Sequence, residues 1–126
     1  MTTPNVLAAV PLLHVEEMRA ALAFYCGNLG FEKVSEYRPH PEADDPAYVV
    51  LRRDEAVLHL SSFSGDGLPG SVVAILVRDV DALHRELAEG GVAIDLPPTD
   101  QTWGNREMYL RDPYGNQLRY LQPLGR

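Results

Sequence analysis

An α+β domain made of two tandem βαβββ units forming a cleft is the fold class predicted by this 126-residue sequence. Three observations carry that prediction. The segments Val15–Leu22 and Val77–His84 share one grammar: an apolar run, acidic residues suited to a helix N-terminus, then apolar residues three to four apart. Each resulting helix ends at glycine, in Leu29-Gly30-Phe31 and in Gly90-Gly91-Val92, where a left-handed cap is accessible. Each is followed by three β-like runs separated by turn residues.

Taken in order, the first unit opens with a strand at Val6–His14. Its helix carries Met18, Ala21, Leu22 and Tyr25 on one stripe, and strands follow at Phe31–Arg38, Tyr48–Arg53 and Ala56–Ser62. The segment Ser64-Gly65-Asp66-Gly67-Leu68-Pro69-Gly70 reads as a linker. The second unit opens at Ser71–Val77 and carries Val80, Leu83 and Leu87 on its helix. Its strands are predicted at Val92–Leu96, Arg106–Arg111 and Gln117–Leu121. Sharp turns at Asp54-Glu55 and Asp112-Pro113-Tyr114-Gly115-Asn116 close the last two strands of each unit. The whole of 1–126 is thus one domain: unit one at about 6–63, linker 64–70, unit two at about 71–122.

Composition narrows the function. Apolar content of 45% and charged content of 23% are ordinary for a globular domain. A formal charge of −7 argues against nucleic acid, whose binding rests on Lys and Arg at phosphates. The same acidity serves solubility, or attraction of a cationic ligand. No apolar run is long enough to span a membrane. The opening residues lack a secretory pattern, and the single Cys26 has no internal disulfide partner, so a cytoplasmic protein is expected.

Side-chain alternation assigns the faces. Leu58 and Leu60 share one face of their strand, as Leu118 and Tyr120 do of theirs, and these apolar faces belong against the helices. His59 and Arg119 then point into the cleft at equivalent places. Aligning Val15 with Val77 pairs Val10 with Val72, so Val10, His59, Val72 and Arg119 form a set of four convergent positions.

The residues Leu22-Ala23-Phe24-Tyr25, Leu29-Gly30-Phe31 and Leu110-Arg111-Asp112-Pro113-Tyr114-Gly115-Asn116 resemble the vicinal-oxygen-chelate superfamily of glyoxalases, extradiol dioxygenases and bleomycin-resistance proteins. Ala9-Val10-Pro11 and Trp103-Gly104-Asn105-Arg106-Glu107 are most similar to the bleomycin-resistance binding proteins. That resemblance implies a glyoxalase/bleomycin-resistance-like fold. It also implies a metal-free, domain-swapped homodimer that sequesters a cationic antibiotic at the dimer interface.

In metal-dependent relatives four positions carry His, Gln or Glu, and the resemblance places these at Val10, His59, Val72 and Arg119. Only His59 offers a donor, whereas catalytic metal sites usually need three or more protein ligands. Unit charges 4 Å apart interact by roughly 4 kcal/mol at an effective dielectric near 20, so Arg119 would repel a divalent ion by about twice that. His14, His40, His59 and His84 show no close-spaced ligand pattern. No metal and no cofactor are therefore expected.

The candidate ligand-binding residues are Tyr48, His59, Trp103, Glu107 and Arg119. Trp103 is either a rim residue covering the sheet end or a stacking surface for a flat ligand. Tyr48 occupies the place of a cleft aromatic in the binding proteins, with Tyr37 nearby. His59 and Arg119 are either hydrogen-bonded within a polar interface, to Glu107 for example, or contact ligand. Arg119 would hold a carboxylate, phosphate or carbonyl; in a catalytic variant His59 is a general base and Arg119 an oxyanion stabiliser. Arg119 is at odds with a highly cationic antibiotic. The acidic, proline-rich run 39–46 is a surface loop, serving as a lid or as a solvated connection. Ser61 and Ser62 lack the surroundings of an activated serine. The functional expectation is a metal-free binding protein for an antibiotic, bleomycin-like or other, or an aromatic metabolite. Alternatives are a divalent-metal glyoxalase or dioxygenase, or a metal-independent isomerase or lyase using His59. A homodimer is expected because open sheet edges are normally covered.

Overall fold

The computed structural model describes residues 2–125. Strand β1 (Leu12–His14) leads into helix α1 (Met18–Leu22), which continues as a π-helix over Ala23–Asn28. Strands β2 (Glu32–Tyr37), β3 (Tyr48–Arg53) and β4 (Ala56–Ser61) complete the first half. The second half is β5 (Val72–Leu76), α2 (Val80–Glu89), β6 (Leu96–Asp100), β7 (Asn105–Arg111) and β8 (Gln117–Pro123). The sheets have the orders β1-β4-β3-β2 and β5-β8-β7-β6, so the two halves share one topology. In each, the opening strand runs parallel to the last strand and the other pairs are antiparallel.

Two strands depart from expectation. The first unit's opening strand is confined to Leu12–His14, and Val6 and Leu7 outside it are 87% and 84% exposed. Residues 2–10 join no ladder among the described residues. Strand β6 lies at Leu96–Asp100 rather than Val92–Leu96, and it contains Pro97 and Pro98. Proline discourages a strand assignment because it cannot donate to a ladder, yet an edge strand tolerates it. The register of β6 against β7 accordingly jumps between Leu96 and Thr99.

One continuous core joins both halves. Met18, Ala21, Tyr25 and Leu29 from the first helical segment meet Leu13, Leu58 and Leu60, and the same cluster includes Val80, Leu87, Met108, Leu110, Leu118 and Tyr120. Leu22 and Leu83, on the predicted stripes, are only partly buried and pack at its margin. Gly30 and Gly91 take φ of +79° and +85°, as a helix end of this kind requires. A Cβ at Gly30 would also lie 2.7 Å from Arg53 Nη1. That guanidinium donates to the Leu29 carbonyl at 2.8 Å and to Glu86 Oε1 at 2.8 Å, linking the end of the first helix to α2.

Both helix starts receive a cap from a distant part of the chain, and α2 has a local one as well. Neither Glu16 nor Glu17 caps α1; the Met18 amide donates instead to Asp45 Oδ1 at 3.0 Å. Ser62 Oγ donates to the same oxygen at 2.6 Å. The 39–46 loop is therefore tied down at its end, as an anchor for α1. In the second half Asp79 accepts from the Ala82 amide, and Gln122 on β8 accepts from the Val80 amide.

The turn Asp112–Asn116 bolts the halves together. Asp112 Oδ2 accepts from Tyr25 Oη and from Asn116 Nδ2, both at 2.8 Å, while Oδ1 accepts from the amides of Tyr114 and Asn116. Asn116 Nδ2 also donates to the His14 carbonyl at 2.9 Å. Tyr114 Oη donates to the Glu17 carbonyl at 3.0 Å. Burial and the neighbouring Asp112 carboxylate push the Tyr25 phenol far above its usual range, so it stays a neutral donor.

Two stability outcomes follow from these contacts. Asp45→Ala should cost about 1 kcal/mol, the worth of a helix cap, read as a lower urea midpoint; an unchanged midpoint would refute the capping role. Tyr25→Phe should cost roughly 1–3 kcal/mol, because a buried carboxylate loses a donor, and its deficit should persist when Asp45→Ala is combined with it.

Candidate functional site

Each sheet has one face in the core and one face opposite, and the alternation assigned from sequence holds. Leu58, Leu60, Leu118 and Tyr120 are buried in the core, while His59 and Arg119 lie on the opposite faces, partly exposed. Their strand neighbours are Leu12, paired with His59, and Ala74, paired with Arg119. Val72 is paired with Gln117, one pleat away from Arg119, and is 57% exposed. Val10 precedes β1 and is 42% exposed. The tandem alignment thus put the two valines at matching places, but two residues back from the level of His59 and Arg119. Parallel pairing sets that level, and self-comparison of the halves carries no information about it.

On the first sheet Tyr48 and His59 meet as an isolated pair. Tyr48 Oη and His59 Nδ1 lie 2.6 Å apart in a hydrogen bond, with the rings edge-on at 5.3 Å between centroids. Adjacent antiparallel strands bring them together, since Tyr48 pairs with Ser61 two residues beyond His59. Tyr37, 61% exposed, stacks on Phe63 at 6.1 Å, so it is held at the edge of the same sheet.

The second sheet carries a denser network. Glu107 is 3% exposed, yet three groups donate to its carboxylate: Trp103 Nε1 at 2.8 Å and Asn105 Nδ2 at 3.1 Å to Oε2, and the Tyr109 hydroxyl to Oε1. The Arg119 guanidinium sits 4.7 Å over the Tyr109 ring, and its Nε donates to Gln117 Oε1 at 2.6 Å. Burial disfavours the ionised Glu107, but the hydrogen bonds from Tyr109, Trp103 and Asn105 and the Arg119 charge outweigh it. Its pKa is held below the ordinary value of 4.5. Tyr109 moves the opposite way, raised first by its bond to that carboxylate.

The five predicted residues therefore form two groups, Tyr48 with His59 and Trp103 with Glu107 and Arg119. Among the described residues no hydrogen bond or ring contact joins the groups across the two sheets. Tyr109, Asn105 and Gln117 complete the second group and were not singled out from sequence. Alternation along β7 was the available signal: Asn105 and Tyr109 flank Glu107 at two-residue spacing, and Tyr109 faces Arg119 across the ladder.

A family metal does not fit this arrangement. One imidazole is the single donor among the four inherited positions, and its Nδ1 is engaged by Tyr48. Arg119 has no lone pair to offer. Among the described residues no three His, Cys, Asp or Glu side chains gather where they could hold a metal ion. Among the same described residues no helix is long and apolar enough to cross a membrane.

The Glu107 network sets a pH response. A carboxylate with a lowered folded value contributes stability above the unfolded value, about 4.5, and loses it as pH falls through the lower folded value. Emission from Trp103, the sole tryptophan, should hold steady above pH 5 and change only below that range. Glu107→Gln, whose amide places a donor against donors, should show the altered emission already at neutral pH. An acid transition above the ordinary glutamate range would contradict the assignment.

Comparison with known proteins agrees with this geometry. A family model described as the glyoxalase/bleomycin resistance protein/dioxygenase superfamily matches residues 7–120. Bleomycin resistance proteins of Geobacillus stearothermophilus and Staphylococcus aureus are 24% identical over 140 residues, covering 94% of this chain and 98% of theirs. A bleomycin-binding protein from Streptomyces verticillus, solved with copper(II)-bleomycin, is 29% identical with a TM-score of 0.72, covering 94% of this chain and 97% of that one. A lactoylglutathione lyase from Agrobacterium tumefaciens shares the fold at a TM-score of 0.73 and 18% identity, covering 94% and 96%. With most of its length matched and both sheets in the expected order, the chain belongs to the glyoxalase/bleomycin resistance protein/dioxygenase superfamily.

Proposed function

We propose that this chain is a metal-free small-molecule binding protein that sequesters an antibiotic or aromatic metabolite against the open sheet faces. The observation that carries the proposal is the state of Trp103. Its indole is 64% exposed, yet its Nε1 is anchored to a buried carboxylate. An exposed aromatic surface held in place in advance loses little freedom when a flat group stacks on it. Arg119 stands beside it with unused N–H groups for a carbonyl, carboxylate or phosphate.

The objection that Arg119 repels cationic ligands weakens in this setting. Glu107 supplies an opposite charge on the same face, and the Tyr109 ring spreads part of the guanidinium's field. A cationic antibiotic such as bleomycin therefore remains within the ligand class, as its binding by the relatives suggests. We place the protein in the cytoplasm as a homodimer. The exposed Val72, Leu76 and Trp103 of one copy, 57%, 73% and 64% exposed, would then meet the Tyr48–His59 face of another.

A second reading draws on the 2.6 Å contact between Tyr48 and His59. A phenol–imidazole pair can move a proton without a metal, which suits an isomerase or lyase. It is secondary because it rests on this one contact.

Titration with bleomycin and other aromatic antibiotics, followed through Trp103 emission, tests the main proposal. Saturable quenching is expected, and Trp103→Ala should lose roughly 0.5–1.5 kcal/mol of binding, about two- to tenfold in Kd. No change in emission or melting temperature with any of them would sink it. Turnover of a carbonyl substrate that His59→Ala abolishes while binding survives would favour the second reading instead.

A further inference from the structure

A second site lies at the seam between the halves, away from the open faces. A cavity of about 600 Å³ runs between the β3–β4 turn, the end of β5 and the start of α2, and none of the five candidate residues lines it. Its size suits a ligand of one or two rings. Apolar walls come from Phe31, Ile75 and Leu83, with Ala82 at the mouth.

The polar feature of this cavity is Tyr120. The residue is 4% exposed and lines the cavity, and its hydroxyl is not among the buried unpaired atoms, so the ring is enclosed while the oxygen stays accessible from the cavity side. An accessible hydroxyl on an enclosed ring has capacity for a ligand or water. Burial also keeps this phenol protonated far beyond its usual range, leaving it able both to donate and to accept. The lining also includes the acidic Asp54, Glu55, Asp79 and Glu86 and the basic Arg53 and Arg78. Arg53 is committed to Glu86 and to the Leu29 carbonyl, so the rim's balance is negative. Asp54 and Glu55 have no ion-pair partner among the described residues.

We propose that the seam cavity binds a small protonated amine bearing an apolar ring, with the ring between Phe31, Ile75 and Leu83, the Tyr120 hydroxyl as polar anchor, and the ammonium at the Asp54–Glu55 rim. This goes beyond the reading of the open faces and is tested separately from it, because Leu76 alone is common to the exposed face described above and the cavity wall.

Phenethylamine, with 3-phenylpropionate as its anionic counterpart, probes the site in the intact protein by NMR of the Ile75 and Leu83 methyl groups. Saturable methyl shifts with the amine are expected, at least about tenfold weaker with the carboxylate, and with no change in Trp103 emission. Tyr120→Phe should weaken the amine about fivefold, the worth of one hydrogen bond, in a variant whose melt is cooperative. Ala82→Phe, filling the mouth from the first turn of α2, should abolish the shifts. Equal binding of the carboxylate, a Tyr120→Phe variant that binds undiminished, or a ligand that moves Trp103 emission in place of the methyls would each overturn the proposal. So would methyl shifts produced by protein dilution alone, which would put a second copy in the groove.

Discussion

The carboxylate of Asp112 is the constraint on which the rest of this molecule depends. It is 5% exposed and accepts from two side chains and two backbone amides. An unpaired charge at that depth would be prohibitively costly, so its four donors must all be in place together. One of them, Tyr25, lies 87 residues earlier, in the other half. Satisfying a single buried charge therefore fixes where the first helix sits against the last hairpin. Asn116, fully buried, extends the same demand to the His14 carbonyl and the Ser71 amide. Those contacts tie the end of β1 to the residue that precedes β5, and the linker between them need only follow.

That joint explains why the functional faces are available. The halves meet through helices, core faces and the Asp112–Asn116 turn, which leaves the opposite face of each sheet without a partner inside the chain. His59 and Arg119 remain on those faces, each held by neighbours in its own sheet. The tight internal junction and the open faces go together: much of the apolar area joins the halves, and the opposite faces keep a mixture of polar groups and exposed Val72, Leu76 and Trp103.

Sequence reading captured what local physics decides. Turn residues, helix periodicity and strand alternation placed Leu58, Leu60, Leu118 and Tyr120 inside and His59 and Arg119 opposite, because a pleat has only two phases. It missed what depends on distant partners. The cap of α1 is Asp45 rather than the adjacent Glu16 or Glu17, and no spacing rule connects residues 27 apart through a loop. The strand at Leu96–Asp100 was hidden by prolines that only an edge position excuses. Convergence of His59 with Arg119 was assumed from the tandem repeat, but repeat symmetry relates two positions without saying that they touch. Tyr109 was legible in principle, two residues from Glu107 on the same face, but only the β7–β8 register sets it opposite Arg119.

The contact between Arg119 and Tyr109 bears on how the site departs from metal-binding relatives. A bare guanidinium at an inherited ligand position reads as an obstacle, and alone it would expel cations of every kind. Set over the Tyr109 ring, bonded to Gln117 and balanced by the ionised Glu107, it becomes one pole of a neutral assembly. Such an assembly cannot polarise a substrate as a divalent ion does, because its charge is spread over several groups and already compensated. It can still offer directed N–H donors and a fixed indole plane to a ligand of either sign. A divalent ion would present this face with a single strong charge, whereas Arg119, Tyr109, Gln117 and Glu107 present several charges and dipoles that already compensate one another.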